Sequence, residues 1–124
     1  MAALYIFLGG GLGSLCRYGI ALLFANADLK LPAATITANV LAGLILGLIA
    51  GWASRHSDNG PLLLLGAVGF CGGFSTFSTF SLENVQLWQE GHYGAMLLNV
   101  ILSVTLCFAS VWAGLRIINM LTLR

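Results

Sequence analysis

A chain of 124 residues that is 59% hydrophobic and only 7% charged has far too little charge for a water-facing surface, which in soluble domains goes with about 25% charged residues. Its mean hydropathy of +0.96 excludes a disordered chain, and five basic residues against four acidic ones exclude the basic surface of a nucleic-acid binder. What is left is an integral membrane protein, one four-helix transmembrane domain over residues 1–124.

The first apolar stretch, residues 1–27, is interrupted only by Arg17 and predicts a transmembrane helix at about 2–25. It lacks a basic n-region and is too long for the h-region of a cleavable signal. Three uncharged runs follow, 31–54, 59–82 and 91–115. Each exceeds the roughly 20 residues that cross a hydrocarbon core as a helix, and they predict spans at about 33–54, 61–88 and 94–121. Pro32 and Pro61 fall near helix starts, where a missing N–H costs nothing. The loops are too short to hold another domain.

Four spans put both termini and the second loop on one side, with Arg55, Arg116 and Arg124. The other side holds Arg17 and Lys30. Orientation needs a clear excess of basic residues on one side, and three against two is not one. The near balance predicts insertion both ways and an antiparallel homodimer, the unfused form of an inverted repeat. The alternative is one weakly biased topology.

On the first helix, Gly9 and Gly13 lie four apart. Gly43, Gly47 and Gly51 do so on the second, and Gly69 and Gly73 on the third. Such small-residue ridges let helix backbones approach in lipid, so tight helix contacts are expected. The cluster around Gly9 is no nucleotide loop, for no strand precedes it and no Walker lysine follows. Cys16, Cys71 and Cys107 lie in spans without metal-ligand spacing and read as small apolar residues. His56 and His92 are loop residues. Arg17 is the one charge inside the first span. Either it snorkels to the interface, or it anchors packing and sets a positive potential at an aqueous vestibule.

The third span carries the strongest pattern, Gly69-Phe-Cys-Gly-Gly-Phe-Ser-Thr-Phe-Ser-Thr-Phe-Ser-Leu-Glu83. Gly72-Gly73 lies near the bilayer midplane, where a glycine pair followed by Ser and Thr marks a site for a helix break. Carbonyls freed there are ligands for a small cation such as Na⁺. The three-residue repeat places Phe74, Phe77 and Phe80 on one stripe, with Ser75, Ser78 and Ser81 beside it and Thr76 and Thr79 on another. The structural reading is packing with hydroxyls bonded back to their own helix. The functional reading is an ion path: hydroxyl hydrogens and the positive edges of phenyl rings favour an anion, and several weak sites favour conduction. Asn39 adds amide donors at depth, and Asn99, Ser103 and Cys107 lie four apart on the last helix, with Ser110 close to that face. There is no acid pair, no Ser/His/Asp grouping and no metal cluster within the spans, so an enzyme is not expected.

Taken together, Gly13-Ser-Leu-Cys-Arg17-Tyr, Thr37-Ala-Asn39-Val-Leu-Ala-Gly43 and the long third-span motif make the chain resemble the Fluc (CrcB) family of small bacterial fluoride channels over essentially its whole length. The resemblance implies a passive fluoride channel in the bacterial cytoplasmic membrane. It implies a dual-topology homodimer with two antiparallel pores and a Na⁺ ion at the dimer centre. Carried over residue by residue, the backbone carbonyls of Gly72 and Ser75 would hold that ion. Asn39, Phe77, Ser78, Thr79, Phe80 and Ser103 would line the fluoride pore, and Arg17 would stand at the vestibule. Phe74 departs from the family's Leu, and Asn99 and Cys107 stand where some members have Tyr and Ser. The rival from another class is a small proton-coupled multidrug exporter, also four-span and dual-topology. It needs a membrane-embedded carboxylate, yet the first helix has none and Glu83 lies near the end of the third.

Overall fold

The computed structural model describes residues 1–27, 29–56 and 60–122. Among them every regular element is helical. Four stretches are long and apolar enough to cross a membrane: Ala2–Leu23, Ala33–Ala53, Gly60–Gln89 and Tyr93–Leu121. The predicted spans match these to within a few residues. Arg124 and the Ser57-Asp58-Asn59 part of the second connection lie outside the described residues.

Helix α1 is Ala2–Leu23 and α2 is Ala33–Ala53. The third span is two helices. Its first half, α3, covers residues 60–74: a short α-helical start at Gly60–Leu62, a π-helical stretch at Leu63–Cys71 and an α-helical turn at Gly72–Phe74. Its second half, α4, is Phe77–Gln89. The last helix, α5, is Tyr93–Thr122. A tight turn joins α4 to α5. Gly91 takes φ +78, the Gly91 N–H donates to the Trp88 carbonyl at 2.9 Å and the His92 N–H to that of Leu87 at 2.8 Å. This is the Schellman pattern of a glycine-terminated helix.

The glycine ridges sort the helices into pairs. A Cβ on Gly9 would fall on the Leu65 carbonyl, and one on Gly13 on that of Phe70. Gly73 in turn faces the Gly10 carbonyl. Helices α1 and α3 therefore meet backbone to backbone. Helices α2 and α5 do the same, with Gly47 against the Val111 carbonyl and Gly114 against that of Leu44. Apolar side chains gain nothing by leaving lipid tails, so backbone approach of this kind is what holds the helices. Gly13→Ala should cost about 1–3 kcal/mol of stability through overpacking. Gly11→Ala should be harmless, because nothing lies within 4 Å of the added methyl. Thermal unfolding of the two variants in detergent checks the contrast.

The break in the third span lies at Ser75-Thr76, two residues beyond the glycine pair. Gly72 keeps helical angles (φ −65, ψ −37), whereas Ser75 (φ −79, ψ 156) and Thr76 (φ −153, ψ 116) are extended. The physical reason is that Gly73 serves the close contact with α1, while side chains a little further on supply the hydrogen bonds that a broken backbone needs. The break also splits the phenylalanine stripe. Phe74 is 4% exposed, in a small core with Ala38 and Ala42. Phe77 is 79% exposed. It pairs with Phe80, ring centres 5.5 Å apart, while Phe74 pairs with Phe70.

Candidate functional site

The site is built around the two extended residues at mid-span. An α-helix would send the Thr76 N–H to the Gly72 carbonyl. Here that N–H donates to Asn39 Oδ1 at 2.8 Å, and Asn39 Nδ2 makes a long bond of 3.5 Å to the Thr76 carbonyl. The α2 carboxamide thus clasps both backbone groups of Thr76. Likewise, the N–H of Thr79 would continue the helix onto the Ser75 carbonyl. It donates instead to Thr76 Oγ1 at 3.2 Å, which caps α4. Two backbone carbonyls, those of Gly72 and Ser75, therefore lose their helical donors to side chains. Around them, Ser75 Oγ donates to the Cys71 carbonyl at 2.8 Å and Arg17 Nε to the Gly73 carbonyl at 3.2 Å. Arg17 is half-buried on the break and does not snorkel away from it.

The hydroxyls of α4 form a directed cluster. Thr76 Oγ1 donates to Thr79 Oγ1 at 3.0 Å. Having spent its hydrogen there, it accepts from Ser78 Oγ at 3.2 Å. Within the cluster the Thr79 hydroxyl accepts and keeps its own hydrogen for another partner. Ser81 donates back to the Phe77 carbonyl at 2.9 Å, as the packing reading requires.

Two open hollows meet at the break. One, about 380 Å³, has Asn39, Gly72, Ser75, Thr76 and Phe77 on its wall. The other, about 210 Å³, is bordered by Asn39, Phe77, Phe80, Ser103 and Cys107. Asn39, Phe77 and Cys107 belong to both. The structure thus brings Asn39, Phe77, Phe80 and Ser103 to one wall, and Gly72 and Ser75 to its continuation. Arg17, Ser78 and Thr79 stand beside the break and line neither hollow.

Sequence reasoning missed two features. Thr35 Oγ1 donates to Glu83 Oε1 at 2.5 Å. The other oxygen, Oε2, is buried with no hydrogen-bond partner. The available signal was that Glu83 is the one carboxylate within the four spans. The second feature is a polar chain between α4 and α5. Ser103 Oγ donates to Asn99 Oδ1 at 3.2 Å, Asn99 Nδ2 to Asn84 Oδ1 at 3.1 Å, and Asn84 Nδ2 to the Phe80 carbonyl at 2.7 Å. Asn99 is 0% exposed.

This arrangement can hold a small cation on carbonyl oxygens and offer weak donors to an anion close by. It has no nucleophile paired with a base. The family model described as CrcB-like protein, Camphor Resistance (CrcB), matches residues 4–115. The chain belongs to the CrcB family. Similar relatives include proteins of Salmonella arizonae and Salmonella newport, both named fluoride-specific ion channel FluC. Each is 42% identical over 107 residues, covering 86% of this chain and 84% of the relative. The match spans all the CrcB-type residues described above, from Arg17 to Ser103. These relatives are named as channels, and the four apolar helices of this chain make it a multi-pass membrane protein.

Proposed function

We propose that this protein is a passive, fluoride-selective channel of the bacterial cytoplasmic membrane. In this reading two copies associate antiparallel, with two pores and a structural Na⁺ ion between them. The observation that carries it is the 42% identity, over 86% of the chain, to proteins named fluoride-specific ion channels. The geometry supports it. Helix α4 begins at mid-span, so its positive dipole end lies at membrane depth beside the hollows that Asn39 and Phe77 border. Asn39, Phe77, Phe80 and Ser103 would line the path, with Ser78 and Thr79 at its side and Arg17 raising the local potential.

The Na⁺ reading rests on the carbonyls of Gly72 and Ser75, which are the two whose helical donors are diverted. Their chemistry fits a hard cation. One chain supplies a pair, and a second antiparallel copy would supply another. Gly72 has helical angles and open space where a Cβ would sit. Nothing within the chain requires glycine there, whereas close approach by a second backbone would.

Fluoride that enters as HF and dissociates inside is trapped as an anion. A channel releases it down its gradient, and an inside-negative potential adds about 2.3 kcal/mol per 100 mV. No nucleotide site or coupling acid is needed. The test is efflux from liposomes that hold only this protein, loaded with fluoride or chloride and read by ion-selective electrodes. Rapid fluoride release beside retained chloride is expected. Phe80→Ile, which removes a ring edge from the path, should slow fluoride at least about tenfold. Equal release of both ions would overturn the selectivity, and no fluoride release from dimeric protein would overturn the channel.

A further inference from the structure

The polar chain between α4 and α5 has a direction, and its direction is set at one end. The Phe80 carbonyl oxygen can only accept. Asn84, 2.7 Å from it, must therefore turn Nδ2 toward it. That leaves Asn84 Oδ1 for Asn99, which must answer with its own Nδ2 at 3.1 Å. Asn99 Oδ1 is then what Ser103 meets, and the Ser103 hydroxyl spends its hydrogen on it at 3.2 Å. Reversing either amide would set oxygen against oxygen or nitrogen against nitrogen somewhere along the chain. Asn99 is fully enclosed and Ser103 nearly so, which leaves little room for solvent to repair such a mismatch. Yet Ser103 borders the hollow that Phe77 and Phe80 share. What it turns to that hollow is an oxygen lone pair.

A lone pair repels an anion and attracts a water hydrogen. We propose that Asn84 is a positioning residue that, through Asn99, fixes Ser103 as a hydrogen-bond acceptor in the ion path. A permeating anion is then met at this level by a water held on Ser103, not by the serine itself. One water hydrogen is given to Ser103 and the other to the ion. The inference rests on the fluoride-channel reading and refines it: a hydroxyl in the path does not act as an anion donor unless something leaves its hydrogen free.

The test is a double-mutant cycle on fluoride efflux from liposomes: wild type, Ser103→Ala, Asn84→Leu and the double variant. Cutting the chain at Asn84 lets Asn99 turn and returns the Ser103 hydrogen to the path. The factor by which Ser103→Ala changes efflux should then differ at least about fivefold between the wild-type and Asn84→Leu backgrounds. The same factor in both backgrounds would overturn the proposal, because a purely structural Asn84 changes rate or stability without altering what Ser103 offers. Asn99→Val cuts the chain at the next link and gives the same comparison if Asn84→Leu does not fold. Wild-type protein that releases no fluoride would instead remove the channel reading, and this proposal with it.

Discussion

Asn39→Asp is expected to slow fluoride efflux by at least about a hundredfold while keeping most of the protein's thermal stability, whereas Asn39→Leu loses both. The aspartate retains an oxygen for the Thr76 N–H, the 2.8 Å bond that secures the break. It gives up only the long bond from Nδ2. The new charge, however, stands on the wall common to both hollows. A unit charge about 4 Å from a passing anion costs about 4 kcal/mol at an effective dielectric constant near 20, close to a thousandfold in occupancy. Leucine leaves the Thr76 N–H without its acceptor at membrane depth, for about 1–3 kcal/mol. Liposome efflux and thermal unfolding in detergent separate the two variants. Unchanged fluoride efflux in Asn39→Asp would remove Asn39 from the wall of the path.

Arg17→Gln should reduce efflux about tenfold at low ionic strength and by progressively less as salt is added. Glutamine can still donate a neutral hydrogen bond toward the Gly73 carbonyl, which now accepts from Arg17 Nε at 3.2 Å. What it removes is the positive charge beside the break. The reach of that charge through water shrinks from about 30 Å at 0.01 M salt to about 8 Å at 0.15 M. Efflux measured across this range distinguishes a field from a strut: a constant ratio to wild type at every salt concentration would make Arg17 a purely structural anchor.

The spans were legible because in this chain charge alone marks the water. Turns gather around the few ionic residues, and apolar runs of the right length lie between them. The glycine ridges were legible for a related reason, since small residues four apart have one main use in lipid. Which ridge meets which was not readable. Gly9 and Gly13 could have faced Gly43 and Gly47 as readily as the third span, and shape complementarity between whole helices decides the matter. The break was expected at the glycine pair followed by Ser and Thr. Within that stretch it falls on Ser75 and Thr76, where Thr76 can cap the following helix and Asn39 can hold it. Asn39 was read as a donor at depth, and spacing gave no sign that its carboxamide also holds the Thr76 backbone. The pairing of Thr35 with Glu83 joins residues 48 apart, and no local pattern announces it. Asn84 was missed because, at the sequence level, it is one polar residue near the polar end of a span. Its importance comes from the direction of a hydrogen-bond chain, which has no signature in spacing.

The interlocking of the helices has a consequence for how the protein is made. The first span docks on the third and the second on the last, so neither interlock joins neighbours in the chain. During synthesis α1 and α2 enter the lipid before either has the surface its glycines are shaped for. The bond from Arg17 to Gly73, across 56 residues, forms only when α3 arrives. Until then Arg17 needs water, lipid headgroups or the insertion machinery to shelter its charge. The newborn chain therefore waits with the Arg17 charge uncommitted, and the arrival of α3 both closes the first interlock and gives that charge its place.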